Sequence, residues 1–413
     1  MQNGSRRHLL LPLFIAVWCW LGPAHPASAQ ATAADSGRID RFSTEQGLPS
    51  RFPRPLIRTS ERVIMAAFMA AIGVNVWEGP GELYLPSGSG KRFSSQGLRS
   101  PHIMQFLQSG GNLYAATEKG LHVLASESWR PLGPPVFWHL VIEGPGQSVW
   151  IAGCDESEHL TVGRVVDHDI RLYGSSVRGR DLLGLFPTST TSALLVTGTG
   201  IWRTGRKNLQ EVPLQGTPIW APSPRSVERR MPPVYLHDCC RNQSGDLFLI
   251  GHFKKLVRCR LDSLSSPESS ATTKARKTSH RPAFEVLGKG HFRSVTPVPG
   301  SDTVIISDFS GMLYRYDGRS FCSWKRFPDA QIGKMCVDEL SRIWVELAPG
   351  KQQPHQLHLY ATATEAHPVR VWSLGHSDGF LSPGLLEFLP DPGTISNPGL
   401  WASTNEGLWH FIP

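Results

Sequence analysis

The chain has 413 residues, of which 40% are hydrophobic and only 18% charged, and it carries 40 Gly and 33 Pro. So many helix breakers between short apolar runs exclude a mainly helical protein and favour strands joined by tight turns. The net charge of +8 is a mild basic excess. Its densest stretch, Lys274–Lys277, lies among Ser and Thr residues without interleaved aromatics, so we expect no nucleic-acid partner.

The N-terminus has the features of a cleavable export signal. Arg6 and Arg7 precede an apolar run from Leu9 to Leu21, and Ala27–Ala29 supplies the small residues of a cleavage site. That run is too short to cross a bilayer comfortably, and no other segment is long and apolar enough. We therefore expect a signal peptide over residues 1–29 and a secreted or periplasmic mature chain, residues 30–413, without a membrane span.

One short pattern returns along the mature chain: an apolar strand, a Thr or small residue, a turn, then Gly and a second apolar strand. It is clearest at 112–123, 193–203 and 400–411. The first apolar residues of the copies are Val63, Leu113, Val149, Leu194, Leu247, Val304, Ile343 and Leu400. Their spacings, 36 to 57 residues, are typical of four-stranded propeller blades with variable loops.

The repeat predicts a single all-β domain, a β-propeller of about eight four-stranded blades, with seven left open because the first copy is weak. A β-helix would have a shorter period, and a β-sandwich would not repeat one motif along the chain. The chain ends after the third strand of its last unit, so we expect the strand at Arg38–Phe42 to pair there and close the ring. Residues 262–283 are rich in Ser, Thr and Lys and predict an exposed insertion.

The phrases Phe42–Ser50 and Phe93–Ser100 are related to each other, and each precedes a repeat unit. Together with the Thr-x-x-Gly-Leu steps at 117–121 and 404–408, they resemble the two-component regulator propeller repeat. That resemblance implies an extracytoplasmic sensor-type propeller, of the kind found in hybrid histidine kinases and in stand-alone secreted proteins. The middle copies are degenerate, and no kinase or membrane helix follows in this sequence, so a sensor of this kind would need a ligand and a partner.

Basic or imidazole side chains recur where the inner strands begin. In seven of eight units they are Arg54, His102, His139, Arg180, His237, Arg293 and Lys334. Inner strands approach one another at the channel mouth, so these groups predict a site for a small anionic ligand such as an acidic saccharide, a carboxylate or a phosphate. The other interpretation is that they are ordinary solvated strand ends.

The sequence gives less support for a catalytic function than for a binding function. The cluster Asp155–His159 is the only dense acidic stretch and has the character of a solvated turn, and Trp77, Trp138 and Trp220 are more typical of an inter-blade core than of sugar platforms. No metal motif or cofactor motif is present, so we expect neither. The six cysteines of the mature chain allow either isolated thiols or one or two disulfides.

The first functional hypothesis is a non-catalytic, sensor-like propeller that binds an anionic ligand or an envelope protein partner. The alternative is an exported carbohydrate-active enzyme, a polysaccharide lyase or glycoside hydrolase, with His139 or His237 as the base.

Overall fold

A computed structural model describes most of the chain from residue 38 onward. The described residues are 38–42, 53–58, 64–68, 71–72, 75–76, 83–84, 92–93, 97–100, 102–125, 128–179, 181–214, 216–219, 235–261, 284–349, 355–361, 368–375, 385–394, 397–404 and 407–412. The expected signal peptide and the expected insertion at 262–283 lie outside these residues, as do Arg180, Trp77 and Trp220.

Within this part of the chain the strands form eight four-stranded antiparallel sheets, here numbered 1 to 8 in chain order. The first strands of sheets 1 to 8, called inner strands, are β2 (Pro53–Arg58), β8 (Ile103–Ser109), β12 (Phe137–Gly144), β16 (Leu182–Pro187), β20 (Leu236–Arg241), β24 (Phe292–Pro297), β28 (Ala330–Val337) and β32 (Leu385–Thr394). The second strands are β3 (Ile64–Phe68), β9 (Asn112–Thr117), β13 (Ser148–Cys154), β17 (Ala193–Thr197), β21 (Leu247–Gly251), β25 (Val304–Asp308), β29 (Ile343–Pro349) and β33 (Asn397–Thr404).

The remaining strands complete the sheets. The third strands are β6 (Leu83–Tyr84), β10 (Gly120–Ala125), β14 (His159–Val166), β18 (Gly200–Thr204), β22 (Lys255–Cys259), β26 (Met312–Tyr316), β30 (Gln356–Ala361) and β34 (Gly407–Ile412). The outer strands are β7 (Arg92–Phe93), β11 (Ser128–Leu132), β15 (Asp169–Arg178), β19 (Leu209–Glu211), β23 (Phe284–Lys289), β27 (Phe321–Arg326), β31 (Val369–Leu374) and, in sheet 8, β1 (Arg38–Phe42). A small hairpin, β4 (Ala71–Ile72) with β5 (Asn75–Val76), lies between β3 and β6.

The sheets are arranged as a β-propeller, as the repeat predicts. Each inner strand contacts the inner strands of the sheets before and after it, and β2 of sheet 1 contacts β32 of sheet 8. The apolar runs found in the sequence become the second strands of the eight sheets. In sheet 8 the outer position is held by β1, which pairs antiparallel with β34 from Arg38 opposite Ile412 to Phe42 opposite Leu408.

The hydrophobic core lies between neighbouring sheets, because each sheet presents apolar side chains on both faces. Trp138 packs with residues of sheets 2 and 3, Trp150 with sheets 3 and 4, and Trp344 with sheets 7 and 8. All three indoles are fully buried. A propeller thus replaces one central core by a series of inter-sheet cores, and Trp138 is the core residue that the sequence predicts.

The Thr-x-x-Gly step of the repeat has a local structural cause. In sheets 2, 4 and 8 the Thr at the end of the second strand donates its hydroxyl to the carbonyl of the Gly that opens the third strand. These bonds are Thr117–Gly120 at 2.8 Å, Thr197–Gly200 at 3.2 Å and Thr404–Gly407 at 2.8 Å. Sheet 6 has Asp308 in place of the Thr, and its carboxylate accepts the backbone N–H groups of Ser310 and Met312 instead.

Candidate functional site

All eight inner strands carry a β-bulge near their start. The pairing with the second strand shifts between Pro53 and Leu56, Ile103 and Gln105, Trp138 and Leu140, Leu182 and Gly184, Leu236 and Asp238, Phe292 and Ser294, Ile332 and Met335, and Leu385 and Glu387. A bulge leaves one residue unpaired and redirects its side chain. Each sheet therefore has one irregular position, the bulge of its inner strand. The end of the propeller where these bulges lie is called here the upper face.

Five of the seven residues selected from the sequence lie in these bulges. His139, His237 and Arg293 are the single bulged residues of their strands, and Arg54 and Lys334 lie in the two-residue shifts of β2 and β28. His102 comes one residue before β8, and Arg180 lies outside the described residues. The described bulges of β8 and β16 hold Met104 and Leu183 instead, so the basic series does not continue through every sheet.

Three of the selected residues lie on consecutive inner strands. His237 on β20 donates its Nε2 hydrogen to the carbonyl of Phe292 on β24 at 2.9 Å, and Phe292 directly precedes Arg293. Lys334 follows on β28 and is exposed. The structure thus brings His237, Arg293 and Lys334 to the upper face of sheets 5, 6 and 7.

The surroundings of His237 favour its neutral form. Burial lowers the pKa of its imidazole, although the hydrogen bond to Phe292 opposes the shift, and the nearby His252 lowers it further. With the Nε2 hydrogen given to a carbonyl, Nδ1 is the acceptor nitrogen of a neutral ring. Desolvation therefore favours the uncharged imidazole at this position.

Asp238, which the sequence analysis missed, follows the bulge of β20. Its Oδ2 accepts the backbone N–H of Val295 at 2.9 Å and so joins inner strands β20 and β24. Burial raises the pKa of the carboxyl to about 6, against the lowering effects of the hydrogen bonds from Val295 and Cys239 and of the charge of Lys334. Gln105 has the same place in sheet 2, where its Oε1 accepts the N–H of Val141 on the next inner strand at 2.8 Å. A polar residue directly after a predicted bulge is the sequence signal that could have found both.

Two other selected histidines make contacts within their own sheets. His102 Nδ1 lies 3.1 Å from Glu118 Oε1, and its side chain is largely buried. His139 stacks on Phe137 with the ring centroids 4.1 Å apart. Neither contact joins these residues to the group formed by His237, Arg293 and Lys334.

An exposed aromatic ring adds to the upper face of sheet 6. Phe309, in the turn after β25, is 52% exposed. The guanidinium carbon of Arg293 lies 5.8 Å from the centroid of that ring, and the Phe309 N–H bonds to the carbonyl of His291 at 3.2 Å. A cation over an aromatic ring is a favourable arrangement. Both partners lie beside sheet 7, which carries the exposed Lys334.

The acidic cluster has a structural role. Asp155 Oδ1 accepts the backbone N–H groups of Ser157 and His159, both at 2.9 Å, which closes the turn between β13 and β14. This is the solvated turn that the sequence indicates. Among the described residues no group of three or more His, Cys, Asp or Glu is placed to hold a metal ion.

The six cysteines from Cys154 to Cys336 are all free thiols. Cys154, Cys239, Cys240 and Cys259 are buried and Cys322 is exposed. Burial raises the pKa of the Cys259 thiol to about 12, with a further contribution from the charge of Asp246. Of the two possibilities left open by the sequence, the structure has the isolated thiols.

A cavity of about 590 Å³ opens on the opposite, lower face, where the inner strands end. It lies against sheet 4 and is lined on its sides by the outer strand β15 of sheet 3 and by Leu261, which follows β22 of sheet 5. Its charged lining residues are Arg171, Arg203 and Arg206. No motif pointed to it, because it joins residues of three sheets.

No helix in the described ranges is long and apolar enough to span a membrane. No protein-family model matches the sequence, and no curated protein matches it. Among solved structures the chain is similar to Sqt1 from Chaetomium thermophilum, in two crystal structures, at 10% identity and a TM-score of 0.51. The match covers 84% of this chain and 92% or 91% of Sqt1.

A further match is the extracellular domain of a protein described as a hybrid two-component system from B. thetaiotaomicron. The identity is 12% and the TM-score 0.38, over 89% of this chain and 59% of that one. At such identities a structural likeness speaks for the fold alone. The likeness to Sqt1 and the arrangement of the sheets together assign this chain to the all-β propellers.

Proposed function

We propose that this protein is an exported, non-catalytic propeller that binds an acidic saccharide, or another small anionic ligand, on its upper face. The observation that carries the proposal is the exposed ring of Phe309 with the Arg293 guanidinium over it, beside a sheet that presents Lys334. An exposed aromatic ring offers a flat apolar surface to a sugar, and a guanidinium binds a carboxylate through two hydrogen bonds.

Neighbouring groups supply the polar contacts that a saccharide needs. Lys334 adds a second positive charge, and the acceptor Nδ1 of His237 suits a sugar hydroxyl, which can donate to it. Because both cations lie near the surface, we expect the affinity to fall as salt is added. An envelope protein with an acidic loop would use the same cations, and the binding experiment below separates the two kinds of ligand.

The binding face requires a closed ring, and we propose that all eight sheets act as its blades. The support is the unbroken series of contacts between inner strands, including β2 with β32, and the pairing of β1 with β34. In this arrangement the N-terminal strand completes sheet 8 and removes its open edge.

We also propose that residues 1–29 direct the chain out of the cytoplasm and are removed, and that the ring belongs with the two-component regulator propellers. The support is the export-signal pattern in residues 6–29 and the Thr-x-x-Gly turns of sheets 2, 4 and 8. On this proposal the protein passes a ligand signal to a partner in the cell envelope.

The proposal is tested by calorimetric titration of the mature protein with uronic-acid oligosaccharides at low salt, followed by product analysis. Arg293→Gln removes one charge-assisted contact, which is worth about tenfold in affinity. Phe309→Ala removes the stacking surface and is expected to weaken binding similarly. Arg130→Gln, an exposed arginine on β11, is the matched control and should leave the affinity unchanged.

Equal affinities for the wild type, Arg293→Gln and Phe309→Ala would overturn the proposed site. The alternative, a carbohydrate-active enzyme, predicts that the oligosaccharides are cleaved and that His237→Ala stops the cleavage. Saturable binding without product supports the non-catalytic propeller.

A further inference from the structure

We infer that the lower-face cavity beside sheet 4 is a second ligand site, which binds the phosphate or sulfate group of a small molecule. It lies at the other end of the sheets from Arg293 and Lys334, so it is independent of the proposed upper-face function. Three guanidinium groups line it, from Arg171, Arg203 and Arg206. None of the described lining residues is an Asp or a Glu.

The backbone holds two of these arginines together across two sheets. Gly174 of β15 forms a parallel bridge with Asn208, in the turn that carries Arg206. Arg171 Nη2 donates to the carbonyl of Arg206 at 3.0 Å, and its guanidinium carbon lies 5.6 Å from the ring centroid of Tyr173. The outer strand of sheet 3 is therefore fastened to the third-to-outer turn of sheet 4, which fixes one wall of the cavity before any ligand binds.

The third arginine approaches from the neighbouring strand. Arg203 on β18 donates its Nε hydrogen to Gln210 Oε1 on β19 at 3.2 Å. That bond orients the side chain along the sheet, and the terminal nitrogens of a guanidinium keep four further hydrogens. A tetrahedral oxyanion matches this fork, because it accepts two parallel hydrogen bonds from one guanidinium.

Hydroxyl groups also line the cavity. Thr188 Oγ1 and Ser192 Oγ lie 2.7 Å apart in the turn between β16 and β17, and Thr204 Oγ1 accepts the N–H of Ala193 at 3.0 Å. Each hydroxyl is both a donor and an acceptor. A ligand that carries an oxyanion and sugar-like hydroxyls would find partners for both kinds of group in this lining.

The electrostatics favour an anionic group. An anion placed among these guanidinium groups gains a favourable Coulomb interaction with each of them. The volume of about 590 Å³ lies within the range of about 300–1,000 Å³ that small-molecule pockets have. The cavity is therefore suited to a phosphorylated or sulfated molecule of sugar or nucleotide size rather than to an isolated ion.

The test uses the whole mature protein and three probes: inorganic phosphate, a sugar phosphate and a sulfated disaccharide. Binding is followed by calorimetry and by the rise in melting temperature at constant ionic strength. We expect saturable binding of at least one ester, which Arg203→Gln weakens about tenfold and Arg203→Lys weakens less, because Lys keeps the charge but loses the paired donors.

Arg319→Gln is the matched control, since Arg319 is exposed in the third-to-outer turn of sheet 6, the turn equivalent to that of Arg206. It should bind the ester as the wild type does. Arg293→Gln should also leave this binding intact, which separates this site from the one on the upper face. Equal weakening by Arg203→Gln and Arg319→Gln, or no binding of any of the three probes to the folded wild type, would overturn the inference.

Discussion

Two histidines lie inside the sheets rather than at the surface. His122 on β10 is fully buried, and its Nε2 accepts the backbone N–H of Arg99 at 3.1 Å. His358 on β30 lies between the hydroxyl of Tyr360 at 3.1 Å and Gln356 Oε1 at 2.9 Å. Burial lowers the pKa of each imidazole from 6.5 to about 4; the charge of Arg99 adds to this at His122, and those of Arg370 and Lys325 at His358.

These histidines make the folded state sensitive to acid. In the unfolded chain they take up protons as the pH falls through 6.5, whereas in the folded protein they stay neutral until about pH 4. Their stabilisation is therefore complete above pH 6.5 and is lost between pH 6.5 and 4, up to about 3 kcal/mol each. Urea unfolding at pH 7 and pH 4.5 measures this loss in the free energy of unfolding.

His358→Gln is the variant that isolates the effect, because Gln keeps a donor and an acceptor but does not titrate. It should be less stable than the wild type at pH 7 and lose less stability on acidification. Asp238 acts in the opposite direction: its pKa is raised to about 6, so its carboxyl favours the folded state below pH 4 and this contribution disappears as the pH rises through 6. An identical pH slope in the wild type and in His358→Gln would contradict the assignment.

At the scale of the element, the bulge of each inner strand depends on close backbone contact with the second strand. Gly153 on β13 pairs with Trp138, directly before the bulge, and a Cβ at this glycine would lie 1.9 Å from the carbonyl oxygen of Phe137. Gly251 has the equivalent place on β21, where a Cβ would lie 2.2 Å from the Tyr235 oxygen. In these two sheets the bulge therefore requires a residue without a side chain.

Gly153→Ala is accordingly expected to lower the free energy of unfolding by about 2 kcal/mol or more, since backbone has to move to accept the methyl group. Gly174→Ala on β15 is the control, because its Cβ would meet nothing within 4 Å. Denaturant unfolding of the two variants compares them. Equal stabilities would show that the bulge of β12 does not need this contact.

The sequence predicts the strands better than it predicts the bulges. The second strands follow from apolar runs such as Leu194–Val196, which are local patterns. The turns follow from the Thr-x-x-Gly step, which is closed by one hydrogen bond between residues three apart in sequence. The bulge depends on which residue of the second strand faces it, and that register is not a local property. His237 begins an inner strand, but its hydrogen bond to a carbonyl of another sheet, 55 residues away in sequence, could not be read from the local pattern.

At the scale of the whole molecule, the lower cavity is formed where neighbouring sheets adjoin. For this reason the sequence alone could not predict it. The lower cavity needs Arg171 of sheet 3, Arg203 of sheet 4 and Leu261 of sheet 5 together. No spacing of residues along the chain predicts such a combination, because the loops between sheets vary in length. The inter-sheet cores are similarly distributed, so each sheet is held by its two neighbours and by no common centre.

Closure of the ring by β1 is the proposal on which the arrangement of both faces depends. Arg41 lies with its guanidinium carbon 4.5 Å from the centroid of the Trp409 ring, which adds a cation–π contact to the pairing of β1 with β34. If the ring is closed in this way, residues at opposite ends of the sequence share one sheet. Losing β1 would expose the edge of β34 and loosen sheet 8 against its neighbours.

The most direct test is an engineered disulfide between Asp40 and His410, which are paired across β1 and β34. Paired residues on antiparallel strands lie about 4.5–5.5 Å apart at Cα, within the range that a disulfide spans. In a Cys322→Ser background, mild oxidation of the Asp40→Cys/His410→Cys variant should yield a monomeric cross-link, seen as a loss of two hydrogens by mass and a peptide joining both ends of the chain. A folded variant that keeps both thiols reduced under these conditions would contradict the closed ring.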